Sequence, residues 1–510
     1  MTGIPGVTFG ESIAKYSNQI LPGACYGILS AAERGPVSED DGGPAILRSS
    51  TDVDRWIGRE TSTLNVVRGL KHVIKKGAEI HFIRVCGASA AKATKVLLDG
   101  SSANALRVTA TSSGAWGNSV LLTVTSNAQD GVNYFDLAVA YANQPELNAQ
   151  YYHLSMDPSR GDFVEAVING VDALIKVEAL STTRPANGAS VALVGGVSDD
   201  APSASAFQTA MAEFNGDKLP TLLAAYTTDG EVLADGVAYC DDSVAFGGRG
   251  DLAMIHCGPS GLTPSQIVDY RHAAGGYGHT DIDSTFAALY FPDVAVRPDG
   301  SYGVVNVPAL FYILGQFAQT EKQAFQWFAT AGSDRGWIRE AVGVRTNVLH
   351  KTDHATLVAA QINPVVFDRA MGKVMIWDNW TLGKNMNDPR KFLNVRRAII
   401  WVKKRFDLHS AEIMFEPNDP ASWKQQHARM LSDLLYMQEN RGITGTKDEP
   451  GFRYVGDQEA ATVDQARFNS PVEISDGKYK ARIYAIFTPA LREISLTVTA
   501  SKSATEWTEE

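Results

Sequence analysis

Cysteine is scarce in this sequence: the 510 residues contain four, at Cys25, Cys86, Cys240 and Cys257. No two of them form a C-x-x-C pair, so the spacing typical of a structural zinc site is missing and we predict no metal ligands. Cys25, Cys86 and Cys257 lie within or at the ends of apolar runs, which predicts buried, reduced thiols. An alternative is a disulfide between neighbouring subunits, with Cys25 and Cys240 as candidates, which would form only outside the reducing cytosol.

Long apolar runs are also missing. The longest, near 307–317, contains Pro308, Gly315 and Gln316 and is too short to cross a bilayer. The N-terminal segment MTGIPGVTFGES has neither a basic region nor a long apolar core, so it does not resemble a secretory signal. We therefore expect a soluble protein that is made in the cytoplasm and inserts no segment into a membrane.

Positive charge is in deficit, because 46 Lys and Arg residues face 57 Asp and Glu residues and the net charge is −11. A phosphate-binding surface needs clustered Lys and Arg. Nucleic acid is therefore not an expected partner. The short basic pair Arg396-Arg397 is interpreted as a solvated or ion-paired helix face.

Sequence motifs of catalysis are absent as well. The chain has no Walker loop, G-x-G-x-x-G, H-E-x-x-H or G-x-S-x-G motif. His279 lies in a glycine-rich loop and Ser260 precedes it, but neither has the turn that a nucleophile requires. Two aspartate pairs, Asp241-Asp242 and Asp281 with Asp283, are better explained as loop caps than as cation ligands. We predict no catalytic, cofactor-binding or metal-binding residue and no enzymatic activity.

The chain is too long for one simple core, and about two to four domains are expected. Strand–helix–strand order indicates an α/β core, Val- and Thr-rich strands indicate a mainly β insertion, and the C-terminal region mixes helices with strands. The predicted segments are an N-terminal arm (1–20), a first core segment (21–90), an inserted mainly β outer domain (91–194), a second, α/β core segment (195–375), a C-terminal α+β domain (376–490) and a C-terminal arm (491–510).

Each end of the chain contains a short apolar alternation. Near the start it involves Val7 and Phe9, in a Gly-rich segment that predicts an extended arm. Near the end, Ile494, Leu496 and Val498 alternate with polar residues and predict a lone strand. Such a strand either closes the sheet of its own subunit or pairs with the sheet edge of another.

The segment 391–419 is predicted to contain a helix, a short strand at 411–415 and a turn. Phe392, Val395, Ile399, Val402 and Phe406 recur at helical spacing, and Lys403, Lys404 and Arg405 fall just before the predicted helix end. Asp419 caps the next helix, which begins at Pro420. The apolar stripe of that second helix comprises Trp423, His427, Met430, Leu434 and Met437.

A series of short motifs follows along the chain. In order they are Pro5-Gly6-Val7, Glu33-Arg34-Gly35-Pro36, Gly114-Ala115-Trp116-Gly117-Asn118, Val194-Gly195-Gly196, Trp327-Phe328-Ala329, Ile362-Asn363-Pro364-Val365, Asn394-Val395-Arg396-Arg397 and Phe415-Glu416-Pro417-Asn418-Asp419. Each is weak alone, but their joint occurrence in this order resembles the contractile-tail sheath proteins of tailed bacteriophages. Residues 456–462 depart from the acidic, Asn-rich strand of that family.

The resemblance implies a subtilisin-like α/β core without a working protease site. Six subunits would form a ring, and rings would stack helically around a tail tube and contract to drive it through a host envelope. The arms would add strands to neighbouring cores, through Pro5, Val7 and Phe9 at one end and Ile494, Leu496 and Val498 at the other. Other implied partners are the tail tube, baseplate and tail terminator proteins, and the implied location is the virion tail. Arg396 and Arg397 become candidate contacts between subunits.

Three other interpretations remain. A sheath from a phage-derived bacteriocin or injection machine would share the fold and mechanism. A secreted subtilisin-like hydrolase would need the nucleophile motif and the signal peptide that the sequence lacks. A tube or baseplate subunit is disfavoured by the length and the α/β pattern.

Overall fold

A computed structural model describes residues 23–36, 43–60, 66–126, 133–297, 303–346, 351–446, 448–456 and 469–492. The chain divides into two compact units. The first comprises the residues up to Gln326 together with Thr330–Lys384, and the second comprises Trp327–Ala329 together with the residues from Asn385 onward.

The strands are distributed along both units. In chain order they are β1 (Cys25–Ser30), β2 (Ala45–Leu47), β3 (Glu79–Arg84), β4 (Thr94–Leu98), β5 (Asn104–Ala110), β6 (Val120–Thr125), β7 (Tyr134–Tyr141), β8 (Ala149–Ser155), β9 (Ile175–Ala179), β10 (Gly188–Ala192), β11 (Leu222–Ala225), β12 (Ala253–Cys257), β13 (Ala287–Phe291), β14 (Val294–Val296), β15 (Val305–Val307), β16 (Ala341–Val344), β17 (Ile362–Asp368), β18 (Lys373–Ile376), β19 (Phe452–Val455) and β20 (Arg482–Ala485).

The α-helices alternate with strands in the first unit and dominate the second. In chain order they are α1 (Ser50–Trp56), α2 (Val66–Lys75), α3 (Val164–Ile168), α4 (Ala204–Ala212), α5 (Gly230–Cys240), α6 (Pro264–Arg271), α7 (Leu310–Gln323), α8 (Gly332–Arg335), α9 (Lys351–Ala359), α10 (Leu393–Ile413), α11 (Pro420–Glu439) and α12 (Pro471–Ser475).

An eight-stranded sheet organises the first unit, in the order β18-β17-β13-β12-β11-β1-β3-β2. Its six inner strands are parallel, and the edge strands β2 and β18 are antiparallel to their neighbours. Parallel strands are buried on both faces, and apolar side chains of α4, α5 and α6 share one core cluster with the sheet. On the other face, α7 contacts Tyr26 through Glu321 and Tyr290 through Phe317. The predicted mixed α/β class is confirmed.

The strands β4–β10 form two antiparallel sheets within the first unit, β10-β6-β7-β8 and β4-β5-β9. Their inward side chains share one apolar cluster, which includes Trp116, Phe135, Leu154 and the α3 residue Ile168. Alternation of buried and exposed residues along β6 and β9 explains how the sequence pattern predicted strands here. The domain boundaries at 91 and 194 stay a prediction.

Helices α2 and α7 pack at a distance that only glycine permits. A Cβ atom on Gly69 would lie 2.1 Å from Cδ2 of Phe311, and one on Gly315 would lie 2.6 Å from Nε2 of His72. We expect Gly69→Val to lower the free energy of unfolding by about 3 kcal/mol, because the methyl groups overpack a buried contact. Chemical denaturation measures the change. Gly188→Val is the control, since nothing lies within 4 Å of that Cβ position, and an equal loss there would contradict the packing argument.

In the second unit, α10 is longer than predicted. It continues to Ile413, so the predicted strand at 411–415 is wrong. The reason is tertiary: the last turns of α10 pack against α11, and Glu412 pairs with Arg429 of that helix. The basic residues 403–405 therefore lie in the middle of α10 rather than at its end. The predicted N-cap Asp419 is confirmed, with its side chain accepting hydrogen bonds from two backbone N–H groups of α11.

Candidate functional site

The second unit contains a small sheet, which is a candidate surface for assembly. Strands β19 and β20 pair antiparallel, from Phe452 opposite Ala485 to Val455 opposite Arg482. Among the described residues this sheet has two strands, so each strand has one sheet neighbour and one outer edge. An outer edge offers backbone N–H and C=O groups to a further strand.

Apolar side chains near this sheet are exposed. Tyr484 is 52% exposed and Ile486 is 66% exposed, while Leu491 is 80% exposed. Backbone hydrogen bonds from Thr444 to Ile486 and from Ile486 to Gly451 continue the pairing beyond β20. The sheet therefore combines backbone edges with exposed apolar side chains, as a strand-accepting surface requires.

Two asparagines from the predicted motifs form hydrogen bonds to the backbone on either side of β20. The Asn418 amide donates to the carbonyl oxygens of Ile474 at 3.0 Å and Lys478 at 3.1 Å, and its oxygen accepts from Trp423 Nε1 at 2.8 Å. The Asn394 amide donates to the carbonyl of Thr488 at 3.1 Å. Each asparagine thus connects a helix, or the turn before it, to the segment that carries β20.

A buried ion-pair cluster joins α10 to α11. Arg405 makes a bidentate contact with Asp433, with Nε and Nη2 each 2.8 Å from a carboxylate oxygen. His409 Nε2 lies 2.7 Å from Oδ2 of the same carboxylate, and because a carboxylate only accepts, Nε2 carries the hydrogen. Burial alone would raise the pKa of Asp433, but the bonds from His409 and Arg405 outweigh it and hold that pKa below its usual range. This cluster was not predicted from the sequence, although Asp433 is an acidic residue within the buried stripe of α11.

The residues that resembled a catalytic site have other partners. Burial raises the pKa of Asp293, and the nearby Ser260 hydroxyl opposes that rise. His279 Nδ1 lies 3.3 Å from the carbonyl oxygen of Tyr277. Neither of these contacts joins Ser260 to His279.

The candidate cation ligands have structural roles. Asp241 accepts from the Ser284 hydroxyl at 2.5 Å and from a backbone N–H in its own loop. Asp281 pairs with Arg271 at 2.9 Å and with Lys384 at 2.7 Å, and Asp283 accepts from the backbone N–H of Lys384. The backbone contacts of Asp241 and Asp283 agree with the predicted role as loop caps, whereas the ion pairs of Asp281 were not predicted.

Comparison with solved structures identifies the fold. A sheath tail protein from Listeria innocua is similar over 91% of this chain and 95% of its own, with a TM-score of 0.62 and 13% identity. One from Desulfitobacterium hafniense is similar over 89% and 94%, with a TM-score of 0.56 and 13% identity. The sheath of an extracellular contractile injection system, in its contracted state, is similar over 99% of both chains, with a TM-score of 0.55 and 13% identity. This chain has the contractile-sheath fold. No protein-family model and no curated protein matches the sequence.

The sheath resemblance predicted from the motifs is therefore confirmed at the level of the fold. Its arm residues, Pro5, Val7 and Phe9 at one end and Ile494, Leu496 and Val498 at the other, lie outside the described residues. Their role stays a prediction. Within the described portion of the sheath fold, no helix is both long and apolar enough to span a membrane.

Arg396 and Arg397 lie in the first turns of α10, and each is 2% exposed. Such burial excludes the interpretation that Arg396 and Arg397 lie on a solvated helix face. Their predicted contact between subunits of a sheath stays a prediction, and in this conformation both side chains are enclosed.

All four cysteines of this sheath fold lie within the described residues, and they form no disulfide bond with one another. Cys25 and Cys240 are both 0% exposed, and burial raises the pKa of the Cys240 thiol well above its usual value. A disulfide between subunits would require each sulfur to reach the surface. It stays a prediction. Cys25 and Cys257 are buried, as the apolar context indicated, whereas Cys86 is only partly buried.

Proposed function

We propose that this chain is the structural subunit of a contractile tail sheath. The observation that carries the proposal is the sheath fold along nearly the whole chain. Hexameric rings of the subunit stack helically around a tail tube and contract to drive the tube through a host envelope. Its partners are further copies of itself, the tube, the baseplate and the tail terminator. It acts in the virion tail and is made in the host cytoplasm.

The core is proposed to be subtilisin-like in arrangement and to have no enzymatic role. The parallel sheet with helices on both faces supports such an arrangement. The lack of a G-x-S-x-G motif in the sequence supports the absence of a serine nucleophile. Residues 91–194 form an outer domain of unassigned role.

Subunits are linked by β-augmentation. The terminal arms add strands to sheet edges of neighbouring subunits, and the outer edges of β19 and β20 are the candidate acceptors. Backbone bonds of this kind persist while the cores move as rigid bodies relative to one another. The driving force is the free-energy difference between two packings of the same subunits, and no nucleotide is consumed.

Electron microscopy of the purified full chain tests the proposal. We expect rings or tubes with six-fold and helical order. A chain that stays monomeric at high concentration, in the presence of its tube protein, would count against a sheath role. An activity-based serine probe distinguishes a sheath subunit from a hydrolase, because only the hydrolase alternative predicts labelling at Ser260.

A sheath of a bacteriocin or injection machine is the second candidate. This chain and the injection-system sheath are similar over 99% of both chains. That similarity supports an injection-machine sheath as well as it supports a phage-tail sheath. Capsid genes beside the gene for this chain would identify a phage tail, and their absence would identify an injection machine.

A further inference from the structure

Four side chains with metal-binding chemistry meet at the start of the parallel sheet. Cys25 is the first residue of β1 and Glu79 the first of β3, and the two residues are paired in register. Side chains alternate along a strand, so His81 lies on the same face of β3 as Glu79. Asp217 belongs to the loop that leads to β11, the other neighbour of β1.

The donor atoms are close together and sheltered from solvent. The Cys25 sulfur, a Glu79 carboxylate oxygen and a ring nitrogen of His81 all lie within 4.8 Å of one another. Cys25 is 0% exposed and the His81 side chain is 4% exposed. His81 Nε2 is 2.9 Å from Glu79 Oε1, and its Nδ1 contacts Asp217.

We propose that Cys25, Glu79 and His81 form a zinc site, with Asp217 as the residue that orients the imidazole. Thiolate, carboxylate and imidazole are the usual zinc ligands, and a tetrahedral ion would hold their donor atoms about 3.5 Å apart. His81 would bind through Nε2, because the carboxylate of Asp217 fixes the hydrogen on Nδ1. A carboxylate behind a ligating histidine is the usual arrangement around zinc.

Charge balance favours a divalent ion here. One thiolate and one carboxylate neutralise two positive charges. Arg48 contacts the other oxygen of Glu79 at 2.5 Å and offsets part of the negative charge of the cluster. The ion would displace the thiol proton of Cys25 and any proton on Nε2 of His81, since zinc ligands bind in their deprotonated forms.

The ion would join the first strand of the core to its neighbour β3. Zinc would stabilise the folded subunit, because an ion that binds only the folded state adds its binding free energy to folding. The inferred site does not depend on the sheath proposal, because it concerns the fold of a single subunit.

Cobalt binding to the metal-free full-length chain tests the site. We expect one Co²⁺ per chain, with the near-ultraviolet absorption of a cobalt–thiolate bond and the visible spectrum of a tetrahedral ion. Zinc should displace the cobalt. Cys25→Ser should lose the thiolate band, whereas Cys240→Ser, which removes a buried thiol elsewhere, should keep it. Asp217→Asn should weaken binding about 10- to 100-fold.

Thermal melting gives a second measurement. Zinc should raise the melting temperature of the metal-free wild-type chain. The absence of stoichiometric cobalt binding, or a thiolate band that survives in Cys25→Ser, would overturn the proposal. So would a zinc effect on melting that is the same in Cys25→Ser as in the wild type.

Discussion

Removing residues 490–510 is expected to abolish sheath polymerisation and to leave a folded monomer. The truncation deletes the predicted strand of Ile494, Leu496 and Val498, which we propose adds to the sheet edge of a neighbouring subunit. It retains Thr488, whose carbonyl accepts from Asn394 and whose N–H donates to Gly442, so the contacts that hold the end of β20 in its own unit are kept. Electron microscopy detects the polymers, and circular dichroism verifies the fold.

Two variants separate strand addition from other effects of truncation. Deleting only 501–510 removes the polar tail and keeps the strand, so polymers should form. Leu496→Pro keeps the length and removes one backbone donor, so polymerisation should weaken strongly if the strand is added to a neighbour. Normal sheaths from the 490–510 deletion would refute the proposed role of the arm. They would favour the alternative in which the strand only closes the sheet of its own subunit.

The regular elements of the core could be predicted because their signals are local. The Val- and Thr-rich run 120–125 of the predicted β insertion is β6, and Pro264 begins α6 with Thr263 as a side-chain cap. The stripe of α11 was also largely right, since Trp423, Met430 and Leu434 are buried. Apolar runs and helix caps can be recognised because each is defined by a few consecutive residues.

Other elements could not be predicted because their cause is distant in sequence. The end of α10 is set by contacts with α11, not by its own β-like residues near 411–415. Helix α5 was missed because its first residue, Gly230, and its internal Gly236 lower helix propensity, although Gly236 allows close contact with Met254 of β12. In both places tertiary packing overrides local preference.

The candidate sites were likewise predictable only in part. The motif asparagines Asn394 and Asn418 were found by resemblance, but their hydrogen bonds to the chain around β20 appear only in the fold. The proposed zinc ligands are separated by more than fifty residues between Cys25 and Glu79, so a search for closely spaced cysteine pairs cannot detect them. Register between parallel strands, which no local pattern encodes, is what joins them.

Asp433→Ala is expected to lower the stability of the second unit by about 3 kcal/mol, since it leaves the guanidinium of Arg405 buried without its carboxylate. The side chains of Arg405 and Asp433 are each 11% exposed, so solvent compensates little for the loss. His409 loses the same partner. Urea unfolding, followed by hydrogen exchange of peptides from α10 and α11, measures the change and localises it. Asp448→Ala is the control, since Asp448 is exposed in the loop after α11 and should change stability little.

The stability that Asp433 contributes should decrease as the pH falls. Its pKa is below the usual value in the folded chain, so the unfolded state takes up a proton first as pH falls. The stability that Asp433 contributes is therefore complete above the unfolded pKa of about 3.9 and is lost as pH falls through the lower folded value. The gap in unfolding free energy between the wild type and Asp433→Asn should be constant near neutral pH and should shrink below about pH 4. A gap that stays constant into strong acid would show that the carboxylate contributes through its shape and not through its charge.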